Sequence, residues 1–289
     1  MEQIIMLYRN RGQHRTCETY ETTLNSFRRF RDGTDIPLSE IDSGLLEDYQ
    51  QHLMRLELSP NTISFYHKHL RAVYNRAVDE GLVADSRPFR RVSTSVEKTV
   101  KRAVPLNVIR RLKSMKLAPG SSDALARDIF LFSFYTRGMS FIDIAYLRKK
   151  DLCDGILRYR RQKTGQLLMM RWEPCMQGIL DKHASVPSSP YLFSLIKDPS
   201  GDVRHQYQNA LFLVNRHIKS LGRRLGLDQP LTLYCARHSW ASIARENGIP
   251  VSVISEGMGH GSEKTTQIYL ASLKTEVIDK ANRKILRLL

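Results

Sequence analysis

The chain has 289 residues, of which 42% are hydrophobic, and a formal net charge of +16. This length is typical of about two domains, and the hydrophobic content is high enough to build a core, which excludes an intrinsically disordered protein. No segment has the form of a signal peptide or the length of a membrane span, so we expect a cytoplasmic protein without a membrane partner. The four cysteines lack the C-x-x-C spacing of zinc sites and indicate reduced thiols: Cys17, Cys153, Cys175 and Cys235.

The positive charge is confined to one part of the chain. Residues 1–95 contain 13 basic and 13 acidic side chains, whereas residues 96–289 contain 32 basic and 16 acidic ones. A surplus of this size favours a polyanionic partner, with nucleic acid first, although a basic surface also serves solubility. Any nucleic-acid chemistry is therefore expected in the second part.

The first part of the chain has the pattern of a small helical module. An apolar stripe at helical spacing begins about 15 residues into the chain and predicts a first helix there. Pro37-Leu-Ser39 starts a second helix, and Ser59-Pro60 has the form of an N-cap followed by an N1 proline. The sequence thus predicts a helical domain over 1–90, followed by a polar, basic linker over 91–104.

The second part is predicted to be mainly helical around one hairpin. Two segments of β character, 155–161 and 167–172, flank Gln162-Lys163-Thr164-Gly165, which predicts a β-hairpin with Lys163 at its tip. Helical spacing recurs on both sides of the hairpin: after Pro105, after Ser121, and over 209–222, 235–247, 251–256 and 276–289. We therefore predict a mainly α fold with a small β-sheet, and a second domain over 105–289.

Four segments of the second domain form one pattern. They are Tyr234-Cys-Ala-Arg237-His238, then Gly259-His260 followed nine residues later by Tyr269, the hairpin Lys163, and Gly138-Met-Ser140-Phe-Ile-Asp143. Taken singly, each segment has an ordinary structural explanation. A tyrosine usually packs in the core, a Gly-His pair usually makes a turn, and a hairpin lysine is usually solvated. Together and in this order, they make the chain resemble the phage integrase (tyrosine recombinase) family over about 105–289. The resemblance extends to the helical module, where that family has a SAM-like core-binding domain.

The resemblance implies a mechanism of covalent catalysis on DNA. Tyr269 would attack a phosphodiester and form a 3′-phosphotyrosyl link, and Lys163 would protonate the departing 5′-oxygen. Arg237 would bind the non-bridging oxygens, while His260 would contact the same phosphate or assist proton movement. His238 would help to position the phosphate. Neither a metal nor another cofactor is expected.

Two positions depart from the family pattern. Ser140 stands where the family has an arginine, and we expect Arg137 to replace it from the same helical face, with three further arginines as alternatives: Arg158, Arg160 and Arg161. Tyr234 stands where the family has a histidine, and its phenol can donate one hydrogen bond but cannot carry a positive charge at neutral pH. Asp143 would orient an arginine or a backbone group. These departures resemble integrases of mobile elements in Bacteroides-type bacteria.

The resemblance also implies the partners. We expect double-stranded DNA with a specific recombination site, a tetramer on DNA, an accessory DNA-bending protein and a bacterial, nucleoid-associated location. The segment from Glu276 would dock on a neighbouring protomer or on its own domain. The short stretch before the first predicted helix leaves no room for an arm-binding domain, which favours inversion or short-site resolution.

Two rival functions share most of these features. A type IB topoisomerase would use the same chemistry without exchanging partners. A catalytically degraded DNA-binding regulator would keep the fold, and Ser140 and Tyr234 are the residues that favour this alternative. A metal-dependent nuclease fits less well, because the sequence has no carboxylate cluster.

Overall fold

The computed structural model describes residues 1–97 and 102–270. It divides into two compact units, Met1–Thr99 and Val100–Leu289. The division falls inside the segment 91–104 for which a linker is predicted. The predicted terminal helix from Glu276 lies outside the described residues.

The first unit consists of helices, as predicted, but with one more helix at its start. Its elements are α1 (Glu2–Asn10), α2 (His14–Phe30), α3 (Ser43–Arg55) and α4 (Pro60–Asp79). Helix α1 was missed because Met1 provides no side-chain cap and only Ile5 is buried. Tyr8 of α1 stacks on Tyr20 of α2 with ring centroids 5.4 Å apart, so α1 is held mainly by contacts that no local pattern reveals.

Side-chain caps decide where the next helices begin. The predicted start of α4 is confirmed, since the Ser59 hydroxyl accepts a hydrogen bond from the Thr62 amide and Pro60 occupies the first turn. Helix α3 begins later than predicted, at Ser43. The Asp42 carboxylate caps it by accepting from the Leu45 amide at 2.8 Å, and Pro37 instead precedes a short 3-10 turn.

Part of the predicted linker packs on the first unit. Val92 of this segment is buried in the core around Tyr49 and Tyr74, together with Phe89 at the end of the predicted helical domain. Further on, the Asn61 side chain exchanges two hydrogen bonds with the backbone of Glu97, at 2.8 and 3.1 Å. The polar composition of this segment hid these contacts, because each is made by a single residue and none repeats at a helical period.

The second unit contains eight described helices and one small sheet, which confirms the mainly α fold. The helices are α5 (Leu106–Ser114), α6 (Ser122–Tyr135), α7 (Phe141–Tyr146), α8 (Pro174–His183), α9 (Val203–Arg224), α10 (Leu233–Glu246), α11 (Val251–Gly257) and α12 (Glu263–Tyr269). Helix α6 passes through the core, with Ile129, Phe130 and Phe132 fully buried. Helix α8, which was not predicted, has Pro174 in its first turn and buries only Met176 and Ile179. None of the described helices is long and apolar enough to cross a membrane.

The predicted hairpin is confirmed and gains a third strand. Strands β1 (Leu152–Cys153), β2 (Ile156–Arg160) and β3 (Leu167–Arg171) pair antiparallel in the order β1-β2-β3. Along β2 the side chains alternate, with Leu157 and Tyr159 buried and Arg158 and Arg160 exposed. Lys163 lies in the β2–β3 turn and is exposed.

Candidate active site

The candidate site is assembled from segments that are far apart in the sequence. A small cluster of apolar side chains, Ala241, Ile254 and Met258 with Leu270, joins α10, α11 and the end of α12. The α6–α7 connection and the end of β2 pack against the same region through contacts to Arg237 and Gly259. The segments that carry Gly138, Arg161, Arg237 and Gly259 are thereby brought together in the second unit.

Arg237 is buried at the centre of the site, with 4% of its surface exposed. Its Nη1 donates to the Gly138 carbonyl at 2.7 Å, and its Nη2 donates to the Met258 carbonyl at 2.8 Å. The same Nη2 lies 2.7 Å from Nε2 of His260. Because the guanidinium is planar and held on two sides, its direction is fixed before any phosphate arrives.

The chain reverses between α6 and α7, so the predicted helical face shared by Arg137 and Ser140 is wrong. Arg137 and Ser140 do not share a helical face, because α6 ends at Tyr135 and α7 begins only at Phe141. Two successive left-handed residues, Arg137 at φ 60° and Gly138 at φ 77°, produce the reversal. Arg137 is half-buried, and its Nη1 lies 3.4 Å from the Met169 carbonyl of β3.

Gly138 is required for the close approach of α10. A Cβ at this position would lie 2.7 Å from both Cα and Cγ of Arg237. Gly165 in the hairpin turn has a similar φ of 68°, but a Cβ there would meet no atom within 4 Å. Alanine at Gly165 would therefore show the cost of backbone strain alone, whereas alanine at Gly138 would add the cost of a steric clash.

We expect Gly138→Ala to destabilise the protein and to displace Arg237. Left-handed strain costs about 1–2 kcal/mol at either glycine, and overpacking against the α10 backbone adds about 1–3 kcal/mol at Gly138. Thermal unfolding should show a larger fall in melting temperature for Gly138→Ala than for the control Gly165→Ala. Equal falls in the two variants would contradict the close contact.

Asp143 connects the α6–α7 connection to the hairpin. Its carboxylate is buried and accepts from the Ser140 hydroxyl at 2.6 Å and from the Gln162 amide at 2.8 Å. Gln162 directly precedes Lys163, so Asp143 fixes the backbone beside the exposed lysine. The expectation was an arginine or a backbone group as its partner; the structure places a backbone group there.

Arg161 is the arginine that enters the site from the hairpin. Its side chain is 9% exposed, and its Nη1 donates to the Gly259 carbonyl, next to His260. A Cβ at Gly259 would lie 3.0 Å from Cδ of Arg161, so glycine allows this approach. The other two alternatives, Arg158 and Arg160, occupy exposed positions of β2.

His260 is a neutral imidazole in this environment. Burial, together with the positive charges of Arg237, Arg161 and Lys163, lowers the pKa of His260 to about 4. Its Nδ1 lies 2.8 Å from the hydroxyl of Thr266, which is fully buried on α12. Thr266 was not singled out from the sequence, and its only signal is its position one helical turn before Tyr269.

Tyr234 and His238 lie at the edge of the site. Tyr234 is 52% exposed, and its ring meets that of buried His238 in a T-shaped contact with centroids 4.7 Å apart. Together with Ser140 and Arg237, Tyr234 lines a cleft of about 840 Å³. The phenol is thus placed to face a ligand in this cleft rather than to fill the core.

Tyr269 is the last residue of α12, and its side chain lies outside the described part of the structure. Its backbone is one helical turn from Thr266, which contacts His260. Within the described residues, no group of three or more His, Cys, Asp or Glu side chains is placed to hold a metal ion.

Comparison with known proteins identifies the family of the chain. A family model for the phage integrase SAM-like domain matches residues 1–93, and the model for the phage integrase family matches residues 170–276. The chain belongs to the tyrosine recombinase (phage integrase) family of site-specific recombinases. The second match includes Arg237, His260 and Tyr269, whereas Ser140 and Lys163 precede it.

Individual relatives extend over most of the chain. Tyrosine recombinase XerD of Listeria innocua is 22% identical over 289 aligned positions, which cover 91% of this chain and 90% of the relative. Among solved structures, a lambda integrase tetramer bound to a Holliday junction has a TM-score of 0.68 at 17% identity and covers 89% of this chain and 72% of its own. The Tn1549 transposon integrase in complex with a circular intermediate DNA has a TM-score of 0.66 at 16% identity, with 98% and 99% covered. These structures share the tyrosine recombinase fold with this chain.

Proposed function

We propose that this recombinase cleaves and rejoins DNA through a 3′-phosphotyrosyl intermediate on Tyr269. The observation that carries the proposal is the cluster around Arg237, in which its guanidinium lies 2.7 Å from His260 Nε2 and is fixed by two backbone carbonyls. Arg161 and Lys163 add two more positive charges around His260. Such a cluster suits a phosphate whose charge increases in the transition state.

The proposed residues have distinct roles in this step. The Tyr269 oxygen attacks phosphorus and gives its proton to His260, the bond from phosphorus to the 5′-oxygen breaks, and Lys163 donates a proton to that oxygen. Arg237 stabilises the non-bridging oxygens by charge-assisted hydrogen bonds. The reverse attack by a 5′-hydroxyl restores the phosphodiester, and no external energy source is needed because the phosphotyrosyl bond conserves that of the phosphodiester.

Arg161 is our proposed replacement for the arginine that the family has at Ser140, with Arg137 as the alternative. Arg161 is buried beside Gly259, whereas Arg137 is only half-buried and its Nη1 lies 3.4 Å from the Met169 carbonyl of β3. A buried guanidinium interacts with a phosphate in a low-dielectric environment, where the interaction is strongest.

We expect Arg161→Ala to lower DNA cleavage by about 10²–10³-fold, the usual cost of one transition-state donor. Arg137→Ala should have a smaller effect. The control is Arg158→Ala, which removes a guanidinium from the exposed face of β2 and should leave the rate nearly unchanged. If Arg137→Ala lowers DNA cleavage more than Arg161→Ala does, then Arg137 is the residue that replaces the family's arginine.

Helix α9 supplies a basic surface beside the cleft. Phe212, which is 66% exposed, lines the cleft together with three basic side chains spaced along the helix, Arg216, Lys219 and Arg223. The spacing of these residues places them on successive turns of one side of the helix. Basic side chains in a row next to the proposed phosphate site fit a DNA backbone, to which they would contribute salt-dependent affinity.

The biological setting is a further part of the proposal. The replacement of two family residues by Ser140 and Tyr234 supports a role in a mobile element of the Bacteroides type, in integration, excision or inversion. The likeness to a tetramer on a Holliday junction supports a tetramer on double-stranded DNA with a specific site. An accessory DNA-bending protein and a location on the nucleoid in the cytoplasm complete this proposal.

The experiment is a suicide-substrate assay that combines the full chain, EDTA and nicked DNA. The DNA carries the recombination site, which is sought near the gene that encodes the protein. We expect a protein–DNA adduct that survives denaturation. Relaxation of site-free supercoiled DNA by the monomer would instead indicate a type IB topoisomerase. Specific binding without any adduct would favour a DNA-binding regulator, and loss of cleavage in EDTA would indicate a metal-dependent nuclease.

A further inference from the structure

The hydrogen bonds of His260 define which of its nitrogens carries the proton. The guanidinium of Arg237 has donors only, so His260 Nε2, at 2.7 Å from Nη2, must accept. The ring is therefore protonated on Nδ1, and that N–H donates to the Thr266 hydroxyl at 2.8 Å. The opposite tautomer would direct two N–H groups at each other beside Arg237.

The charged groups around His260 keep it in the neutral form that has this choice of tautomer. Arg237 approaches from α10, Arg161 follows β2, and Lys163 lies on the hairpin. Burial and these three cations all oppose protonation of the ring. With Nδ1 occupied by Thr266, the lone pair of Nε2 points to the Arg237 side, where the phosphate and the attacking phenol would meet.

Thr266 also connects the histidine to the helix of the proposed nucleophile. It lies on α12, three residues before Tyr269, and is fully buried. Residues three apart on a helix lie on adjacent turns, so a fixed Thr266 limits the rotation and translation of the end of α12. The neighbouring Thr265 makes a different contact, with the Ser262 hydroxyl at 3.2 Å.

We propose that Thr266 is a positioning residue that accepts the Nδ1–H of His260, orients the ring and fixes the helix of Tyr269 relative to it. In the free protein His260 Nε2 accepts from Arg237 Nη2. Once Nη2 donates to the phosphate instead, the Nε2 lone pair is available for the proton that the attacking phenol loses. This inference rests on the proposed function of Tyr269 and His260 and assigns to Thr266 a role that the motif residues do not supply.

The first test is the tautomer itself, read from the imidazole nitrogen shifts of the DNA-free protein by long-range ¹H–¹⁵N spectroscopy. The chain has nine histidines, and the signals that vanish in His260→Gln identify the relevant ring. We expect a protonated Nδ1 and an unprotonated Nε2 in the wild type and in Thr266→Ser. Thr266→Val leaves the buried Nδ1–H without its acceptor, so the Nδ1 shift should move, whereas Nε2, which still accepts from Arg237, should stay unprotonated. A protonated Nε2 in the neutral ring of the wild type would overturn the proposal, whatever the variants do.

The second test is the rate of adduct formation on the nicked DNA. Thr266→Val keeps the shape of the side chain without its hydroxyl, and we expect it to lower the rate by about 10–100-fold, the usual cost of losing a group that orients a functional histidine. Thr266→Ser should restore most of the rate, and the matched control Thr265→Val should leave it close to wild type. Wild-type rate in Thr266→Val, or equal losses in Thr265→Val and Thr266→Val, would contradict the proposal.

The two tests separate this inference from the proposed function. If the wild type forms no adduct, covalent catalysis by the chain fails, while the nitrogen shifts still show whether Thr266 accepts the Nδ1 proton. If the wild type forms the adduct but the shifts do not depend on the Thr266 hydroxyl, only the role of Thr266 fails.

Discussion

Tyr269→Phe should abolish the denaturation-resistant protein–DNA adduct while leaving DNA binding intact. Phenylalanine keeps the ring but removes the oxygen that would form the bond to phosphorus. Loss of a nucleophile usually lowers the rate by about 10⁴-fold or more, so no adduct should be visible by gel electrophoresis under denaturing conditions. Binding should persist because the phenolic oxygen contributes little to affinity beside the basic surface of α9.

The matched control is Tyr234→Phe. Tyr234 is half-exposed at the cleft, and its phenol can donate one hydrogen bond to a phosphate. Loss of a hydrogen bond to a charged group should lower the rate of adduct formation by roughly 10-fold, so the adduct should still form. If the adduct is lost in Tyr234→Phe and kept in Tyr269→Phe, the nucleophile is Tyr234 and the motif alignment is wrong.

Arg237→Lys should lower the rate of adduct formation by about 10²–10³-fold, although the charge is kept. In the structure the guanidinium donates to the carbonyls of Gly138 and Met258 at the same time and also contacts His260. A single ammonium group cannot reproduce this planar fork, so the charge would lose its fixed direction toward the phosphate.

Arg237→Lys carries a structural cost that must be measured in parallel. One buried carbonyl loses its partner, which costs about 1–3 kcal/mol of stability, so cleavage is compared at a temperature at which both proteins are folded. The control is Arg224→Lys, the same change in an exposed arginine that bonds Asp123 at 3.1 Å. If the folded Arg237→Lys protein cleaves DNA at a rate within a few-fold of wild type, Arg237 does not stabilise the transition state.

Several parts of the fold were predictable because their signals are local. The Ser59-Pro60 start of α4 follows from a capping hydroxyl and a fixed φ within one turn of chain. The hairpin of β2 and β3 follows from two runs of β character around a turn that ends in Gly165. Among the helices that were missed, α1 and α8 bury only one and two residues and α12 spans only seven residues, so their sequences carry almost no periodic signal.

The sequence by itself determined the chemistry available to this protein. The order and spacing of Arg237, His260 and Tyr269, with Lys163 on a hairpin, specified a candidate phosphodiester site, and the charge surplus placed it in the second part of the chain. These features are readable because catalytic chemistry restricts residue types at fixed spacings, and because net charge is a sum that does not depend on folding.

Only the tertiary structure decided which side chains meet. It separated Arg137 from the helical face of Ser140 through two left-handed residues, and it placed Arg161 beside Gly259 across 98 positions of sequence. It also brought Thr266 to His260. Side-chain direction at such positions depends on backbone φ values and on packing between distant elements, and neither is encoded in the spacing of residues along one segment.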